Sequence, residues 1–267
     1  MNNLPTETMS SPSHSEVQAL LSGSSHDPSI IPQLEAYVRS QVSAVASTLV
    51  DCPYSFDANR TLVKLYTFYP NLAGNGGSIL SLVSFLSLLQ FPNTDLMALN
   101  CMIPEHVVHS EPVATIVRCA ELLESCSFAA FWPEFRKLGI PEYGLADGQG
   151  VSDDRRMLAD AINGVSAGNA IRTNIVRILA RTYGKAPLGV VLGALDVNDG
   201  EAVLEFGSKV TSGEGDGTPL VEGVDGEFVT FASTADNTKR VGSAFKDNVS
   251  YDQVAGMMAK STALRGQ

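Results

Sequence analysis

From residue 14 to residue 137 apolar side chains recur at intervals of three and four, and no alternating run interrupts them. That rhythm is the period of an α-helix, whereas a half-buried strand needs a period of two. The first half of the chain is therefore expected to be helical throughout, with each apolar face buried on its neighbours.

The breaks between helices can be read from turn formers and prolines. Val17, Leu20 and Leu21 mark a short first helix, and SGSSHDPS after it reads as a loop. His14 and His26 are both placed in loops. Ile31, Leu34, Tyr37, Val38, Val42, Val45 and Leu49 form an amphipathic helix that DCPYSFD ends. Asp57 is the expected cap of the next helix, which carries Leu62, Val63, Leu65, Tyr66 and Phe68 and stops at Pro70. Residues 78–90 are apolar nearly all round, the mark of a helix buried on most sides. Thr94 is the expected cap of a helix over 96–102, and Pro104, Pro112 and Pro133 punctuate short helices beyond it.

The densest apolar segment is PVATIVRCAELLESCSFAAFWPEFRK, residues 112–137. Val113, Ile116, Val117, Ala120, Leu122 and Leu123 make one helix, with Thr115, Arg118, Glu121 and Ser125 as a polar strip. Ser127 is placed to cap a second helix carrying Phe128, Phe131, Trp132 and Phe135. Pro133 falls inside that helix and should kink it.

The stretch GIPEYGLADGQGVSDD is a glycine-rich connection, and the domain boundary is expected there. Ser152 caps a helix with Met157, Leu158, Ala161 and Ile162. Further helices carry Ile171, Ile175 and Leu179, then Leu188 to Leu195 opened by Pro187, then Val203, Leu204 and Phe206 capped by Asn198. Two strand-like runs, TPLVEG and GEFVTFAS, meet at Asp225-Gly226, a hairpin signal. Three helices followed by a hairpin is the order of a winged helix. The predicted fold is mainly α: a polar tail over 1–13, a helical-repeat (HEAT-like) domain over 14–150, and a winged-helix domain over 151–248. A C-terminal helix and tail fill 249–267, with Tyr251, Val254, Met257 and Met258 on one side of the helix.

Charge and motif content exclude several functions. Twenty-nine acidic residues stand against 18 basic ones, a net charge of −11. The basic residues form only isolated pairs such as Arg136–Lys137, Arg155–Arg156 and Lys239–Arg240, so binding to nucleic acid by charge alone is not expected. The third winged-helix helix carries Asp199, Glu201 and Glu205 against Lys209, and phosphates would repel it. Direct DNA binding is therefore not expected.

Gly74, Gly76 and Gly77 lack the Lys-Ser/Thr of a phosphate loop, and Asp196 does not begin a well-spaced calcium loop. Glu105, His106, His109 and Glu111 lack a third convergent ligand. Cys52, Cys101, Cys119 and Cys126 show no paired spacing and read as small core residues of a reducing compartment. No Ser/His/Asp or Cys/His set assembles, so no catalytic residue, metal site or cofactor is expected. The segment MNNLPTETMSSPSHS lacks a basic start and an apolar run, so no secretory signal is expected. The most apolar run, 79–89, is too short to cross ~30 Å of hydrocarbon. A cytoplasmic protein with no membrane contact follows as the expectation.

The string LLESCSFAAFW, residues 122–132, resembles the signature segment of the subunit k family of eukaryotic translation initiation factor 3. ANRTLVKLYTFYP (58–70), Asn100-Cys101-Met102-Ile103 and YDQVAGMMAKS match that family in kind and order. The matches run from about Leu34 to Ser261. The resemblance implies a helical-repeat domain followed by a winged helix, the PCI-like architecture shared with the proteasome lid and the signalosome. It implies a non-catalytic subunit that pairs with subunit l, joins subunits e and c, and reaches the small ribosomal subunit through the complex. The face carrying Tyr251, Val254, Met257 and Met258 is the expected protein interface. An equivalent subunit of the lid or signalosome is the alternative, and an enzyme would need a convergent polar pocket.

Overall fold

A computed structural model describes residues 12–47, 52–72, 77–146, 149–210, 219–234 and 236–238. The helices in chain order are α1 (His14–Ser24), α2 (Ile31–Ala46), α3 (Phe56–Phe68), α4 (Gly77–Leu88), α5 (Asp95–Asn100), α6 (Glu105–Val108), α7 (Val113–Glu124) and α8 (Phe128–Lys137). No strand falls among the described residues of this half, as the apolar period requires. After them come α9 (Asp153–Asn163), α10 (Val165–Thr182), α11 (Leu188–Leu195) and α12 (Gly200–Lys209). Three strands, β1 (Lys185–Pro187), β2 (Val221–Val224) and β3 (Phe228–Phe231), pair antiparallel in the order β1-β3-β2.

Helix α4 is the hub of the first half. Ile79, Leu82, Val83, Phe85, Leu86 and Leu88 are all buried, and so are Ser81, Ser84 and Ser87 between them. It packs on α2, α7, α5 and α9, which is why it is apolar on every side. Ser87 returns its hydroxyl to the Val83 carbonyl, 2.9 Å away, so it is buried with a partner. Helix α2 offers α3 a buried polar clasp: Gln41 Nε2 donates to Asn59 Oδ1 at 3.0 Å, and its Oε1 accepts from the Ser55 backbone at 3.0 Å.

Several caps differ from the sequence reading. The cap of α3 is Ser55, whose hydroxyl accepts from the Ala58 N–H; Asp57 already lies in the first turn and pairs with Arg60 at 2.8 Å. Asp199, not Asn198, caps α12, because its carboxylate accepts from Ala202 N at 2.7 Å. Thr94 and Ser127 hold the cap positions of α5 and α8, yet neither side chain makes the capping bond. The Ser127 hydroxyl is taken by Ser125 at 3.1 Å instead. Ser152 caps α9 as expected. His14 is not in a loop but is the first residue of α1, whose cap Ser13 forms a reciprocal box with Glu16. Thr115 is not on the polar strip of α7; it is fully buried, and its hydroxyl points to Tyr143 Oη at 3.4 Å.

The tight break between α7 and α8 is a Schellman closure. Ser127 N donates to Leu122 O at 2.8 Å and Cys126 N to Leu123 O at 3.0 Å. Cys126 takes the left-handed position at φ 56°, where glycine is the usual residue. That placement explains a second departure. Only Cys119 is buried; Cys101 and Cys126 are exposed and Cys52 is intermediate. The two exposed cysteines sit just beyond helix ends, outside the apolar stripe.

The strand β1 was not foreseen. It is three residues long and ends in a proline, so no period can be read from it. It is a strand because β3 pairs with it, Ala186 opposite Val229. The hairpin at Asp225-Gly226 forms as expected, with β2 and β3 in register at Val224 and Val229. Helix α12 lies against β2 so closely that a Cβ on Gly207 would collide with Val221.

The two halves meet at Trp132. Its Nε1 donates to the Ala194 carbonyl at 2.9 Å, in a buried setting. Arg172 on α10 lies over the indole ring, 4.6 Å from the centroid, and its Nε donates to the Leu195 carbonyl at 2.7 Å. These are two of the last carbonyls of α11, which have no partner inside that helix. Asp196 then leaves α11 in the left-handed conformation at φ 52° and pairs with Arg136 at 2.6 Å. Asp196 thus terminates α11. On the far side Asp154 on α9 receives Arg39 of α2 at 2.7 Å and the Ser78 hydroxyl of α4 at 2.8 Å.

Trp132→Phe keeps an aromatic ring but leaves the Ala194 carbonyl buried and unpaired. The expected loss is about 2–3 kcal/mol of stability. Urea unfolding followed by circular dichroism measures it, since the variant lacks the chain's only tryptophan. An unchanged midpoint would mean that the junction adds nothing.

Cys119 adds an alkaline sensitivity. Burial pushes its thiol up from 9.0 to about 12. Below pH 9.0 both folded and unfolded thiols are neutral, so the stability is fully present; it is lost as pH rises through about 12, because only the unfolded thiol ionises. Cys119 should contribute a fall of at most about 1.4 kcal/mol per unit from pH 9 upward, on top of that from the buried phenols such as Tyr66, so the fall between pH 9 and 10 should be smaller in Cys119→Ala. A slope unaltered by the substitution would assign the sensitivity elsewhere.

Candidate interaction surfaces

The expected interface residues Tyr251, Val254, Met257 and Met258, and the terminal helix that carries them, lie outside the described residues. The surfaces of note among the described residues lie on the helical half, on α10 and on α12.

The histidines and carboxylates of the described residues do not converge. His109 Nε2 is 3.7 Å from Glu105 Oε1, with both side chains largely in water. The Glu111 carboxylate accepts from the Thr115 backbone at 3.3 Å and so serves the start of α7. His14 Nδ1 lies 2.8 Å from the Tyr37 hydroxyl, which donates to the Pro53 carbonyl at 2.9 Å. Among the described residues no three of His, Cys, Asp and Glu gather as a metal site. Nor is any described helix long and apolar enough to cross a membrane.

Arginines hold the elements around the glycine-rich connection. Arg155, near the start of α9, donates through Nη1 to the Tyr143 carbonyl at 2.7 Å and through Nη2 to the Glu111 carbonyl at 2.5 Å. Burial pulls its guanidinium below the ordinary value. Gly144, in the connection itself, sits at φ 71°, which an L side chain rarely adopts. Arg155 and Arg156 are one of the isolated basic pairs of the sequence. Only Arg156 remains exposed, pairing with Asp153 at 3.3 Å. No periodicity could have separated them, because the partners of Arg155 are backbone carbonyls 12 and 44 residues away. Glu134 on α8 is held below the usual carboxylate range first by Lys137 and then by Arg118.

Three surface features stand out by composition. Phe68, Tyr69 and Leu72 are exposed in succession at the end of α3. Glu201 and Glu205 are exposed on α12, giving that helix an anionic outer face. The third is a groove of about 710 Å³ between the loop after α4 and the outer face of α10. Leu89, Phe91 and Ile178 line it together with Arg177 and Arg181.

No family model matches the chain. Curated relatives do. The chain is 27% identical over 154 residues to a protein named eukaryotic translation initiation factor 3 subunit K from Culex quinquefasciatus, across 58% of this chain and 64% of that protein. It is 31% identical over 133 residues to the protein of that name from Nematostella vectensis, across 49% and 56%. Against the Danio rerio protein the identity is 27% over 158 residues, 59% of each chain. The chain thus spans less than two thirds of the length of these relatives. They bear out the resemblance to the subunit k family read from the sequence.

Proposed function

We propose that this chain is a non-catalytic scaffold subunit of eukaryotic translation initiation factor 3, the place its relatives' name describes. The observation that carries the reading is their identity of 27–31% over about half the chain. The fold supports it. A layer of short helices leads into a helix–strand–helix–helix–hairpin order, which is consistent with a winged helix after a helical repeat.

In this reading the winged-helix part is a protein-contact module. The exposed carboxylates Glu201 and Glu205 would repel phosphate from the helix that otherwise enters a DNA groove. The partners are subunits l, e and c, with the small ribosomal subunit reached through the complex. The contact helix is the C-terminal one, through Tyr251, Val254, Met257 and Met258. Flexible methionines suit a face that packs on another helix.

Affinity purification of the tagged protein, with mass spectrometry of what accompanies it, tests the assignment. Recovery of the other initiation-factor subunits and small-subunit ribosomal proteins is the expected result. Recovery of proteasome-lid or signalosome subunits would replace the function and keep the architecture, and a protein that purifies alone would overturn the scaffold reading.

Met257→Asp combined with Met258→Asp should release the protein from those partners and leave its circular dichroism and thermal unfolding unchanged. If the isolated variant unfolds instead, the two methionines belong to the protein's own core and the interface assignment fails.

A further inference from the structure

Nine arginines lie among the described residues, and seven are held within the fold. Arg39, Arg60, Arg118, Arg136, Arg156 and Arg172 pair with carboxylates, and Arg155 with two backbone carbonyls. The remaining two, Arg177 and Arg181, have no carboxylate partner among the described residues. Among the described residues Arg177 reaches only Asn174 Oδ1, at 3.2 Å, and Arg181 makes no side-chain hydrogen bond or ion pair. Both are exposed, stand four residues apart on one face of α10, and line the same groove of about 710 Å³.

The groove has the other features of a peptide site. Leu89 and Leu220 are buried beneath it, and Phe91 and Ile178 are half-buried along it. Gln90 and Asn93 also line it, and their side-chain amides make no hydrogen bond among the described residues. Asp236 is the one carboxylate among its described lining residues. In a chain with 29 acidic and 18 basic residues, two guanidinium groups thus stand beside apolar surface with no ion pair among the described residues.

We infer that this groove receives an acidic peptide segment of a partner protein. Its carboxylates meet Arg177 and Arg181, and its apolar side chains lie against Phe91 and Ile178. Guanidinium matches a carboxylate with two parallel donors, which fixes register as well as charge. The chain's own C-terminal segment has the wrong sign, since residues 239–267 carry five basic residues and two acidic ones. Nucleic acid is disfavoured by the net charge of −11 and by a cation count too small to neutralise a run of phosphates. The inference stands apart from the initiation-factor reading, because it rests on the arginine pairing alone.

Fluorescence anisotropy of the full chain with a fluorescein-labelled peptide rich in Glu and Leu tests it. The expected result is saturable binding that weakens with added salt and falls by about tenfold or more in Arg177→Glu/Arg181→Glu. A peptide with Lys in place of Glu should not bind. Both arginines are exposed, so circular dichroism of the variant should match the parent; should it not, Arg177→Gln/Arg181→Gln removes the charge more gently and must show the same loss. Binding equal in parent and folded variant, no saturable binding, or tighter binding of a labelled oligouridylate than of the acidic peptide would each overturn the proposal.

Discussion

The closing of helix α11 is the interaction on which the rest of the structure depends. A helix end leaves carbonyls without partners, and burial makes each of them costly. Here Trp132 Nε1 and Arg172 Nε reach the carbonyls of Ala194 and Leu195, at 2.9 and 2.7 Å. One donor comes from α8 in the helical half and the other from α10. Arg136 and Arg172 also bring positive charge to the negative end of the helix, where it is favourable. The same contacts that terminate one helix therefore join it to the preceding layer. Phe131 and Phe135, stacked at 5.1 Å, support Trp132 from within α8.

The helical half has a comparable problem, since short helices have little stability of their own in water. Apolar packing around α4 supplies most of the remedy, but it does not by itself choose one arrangement of neighbours. Polar contacts of long sequence range do. Asp154 gathers Arg39 and Ser78, so that α9, α2 and α4 share one carboxylate. Tyr66 Oη donates to Glu35 at 2.6 Å, tying α3 to α2, and burial raises the pKa of that phenol well above its ordinary value. Arg39 and Glu35 keep part of their side chains in water, so these pairs settle geometry more than they add stability.

A consequence for function follows from where the ionisable side chains are engaged. Asp154, Arg155, Arg172 and Asp196 hold elements together, and the histidine and glutamate groups around α6 face water. What the surface retains is anionic on α12, apolar at the end of α3 and cationic along α10. Such a distribution suits recognition of several protein neighbours by different chemistry, which is what the proposed scaffold role requires.

The sequence by itself determined the helical character of residues 14–137, the buried all-round character of α4, the break after Glu124, the Ser152 cap and the hairpin at Asp225-Gly226. Each is a local matter: a period of 3.6, a turn dipeptide or a cap is complete within a few residues. It also carried the resemblance to the subunit k family in the string 122–132, though not the reason Trp132 stands there. Only the tertiary structure decided that β1 is a strand, that Thr115 is buried, that Cys101 and Cys126 are not, and that Arg155 and Arg172 are structural while Arg177 and Arg181 are left over. Several of those outcomes depend on distant partners, 44 residues away for Arg155 and the Glu111 carbonyl, and a contact at that range leaves no period in the chain.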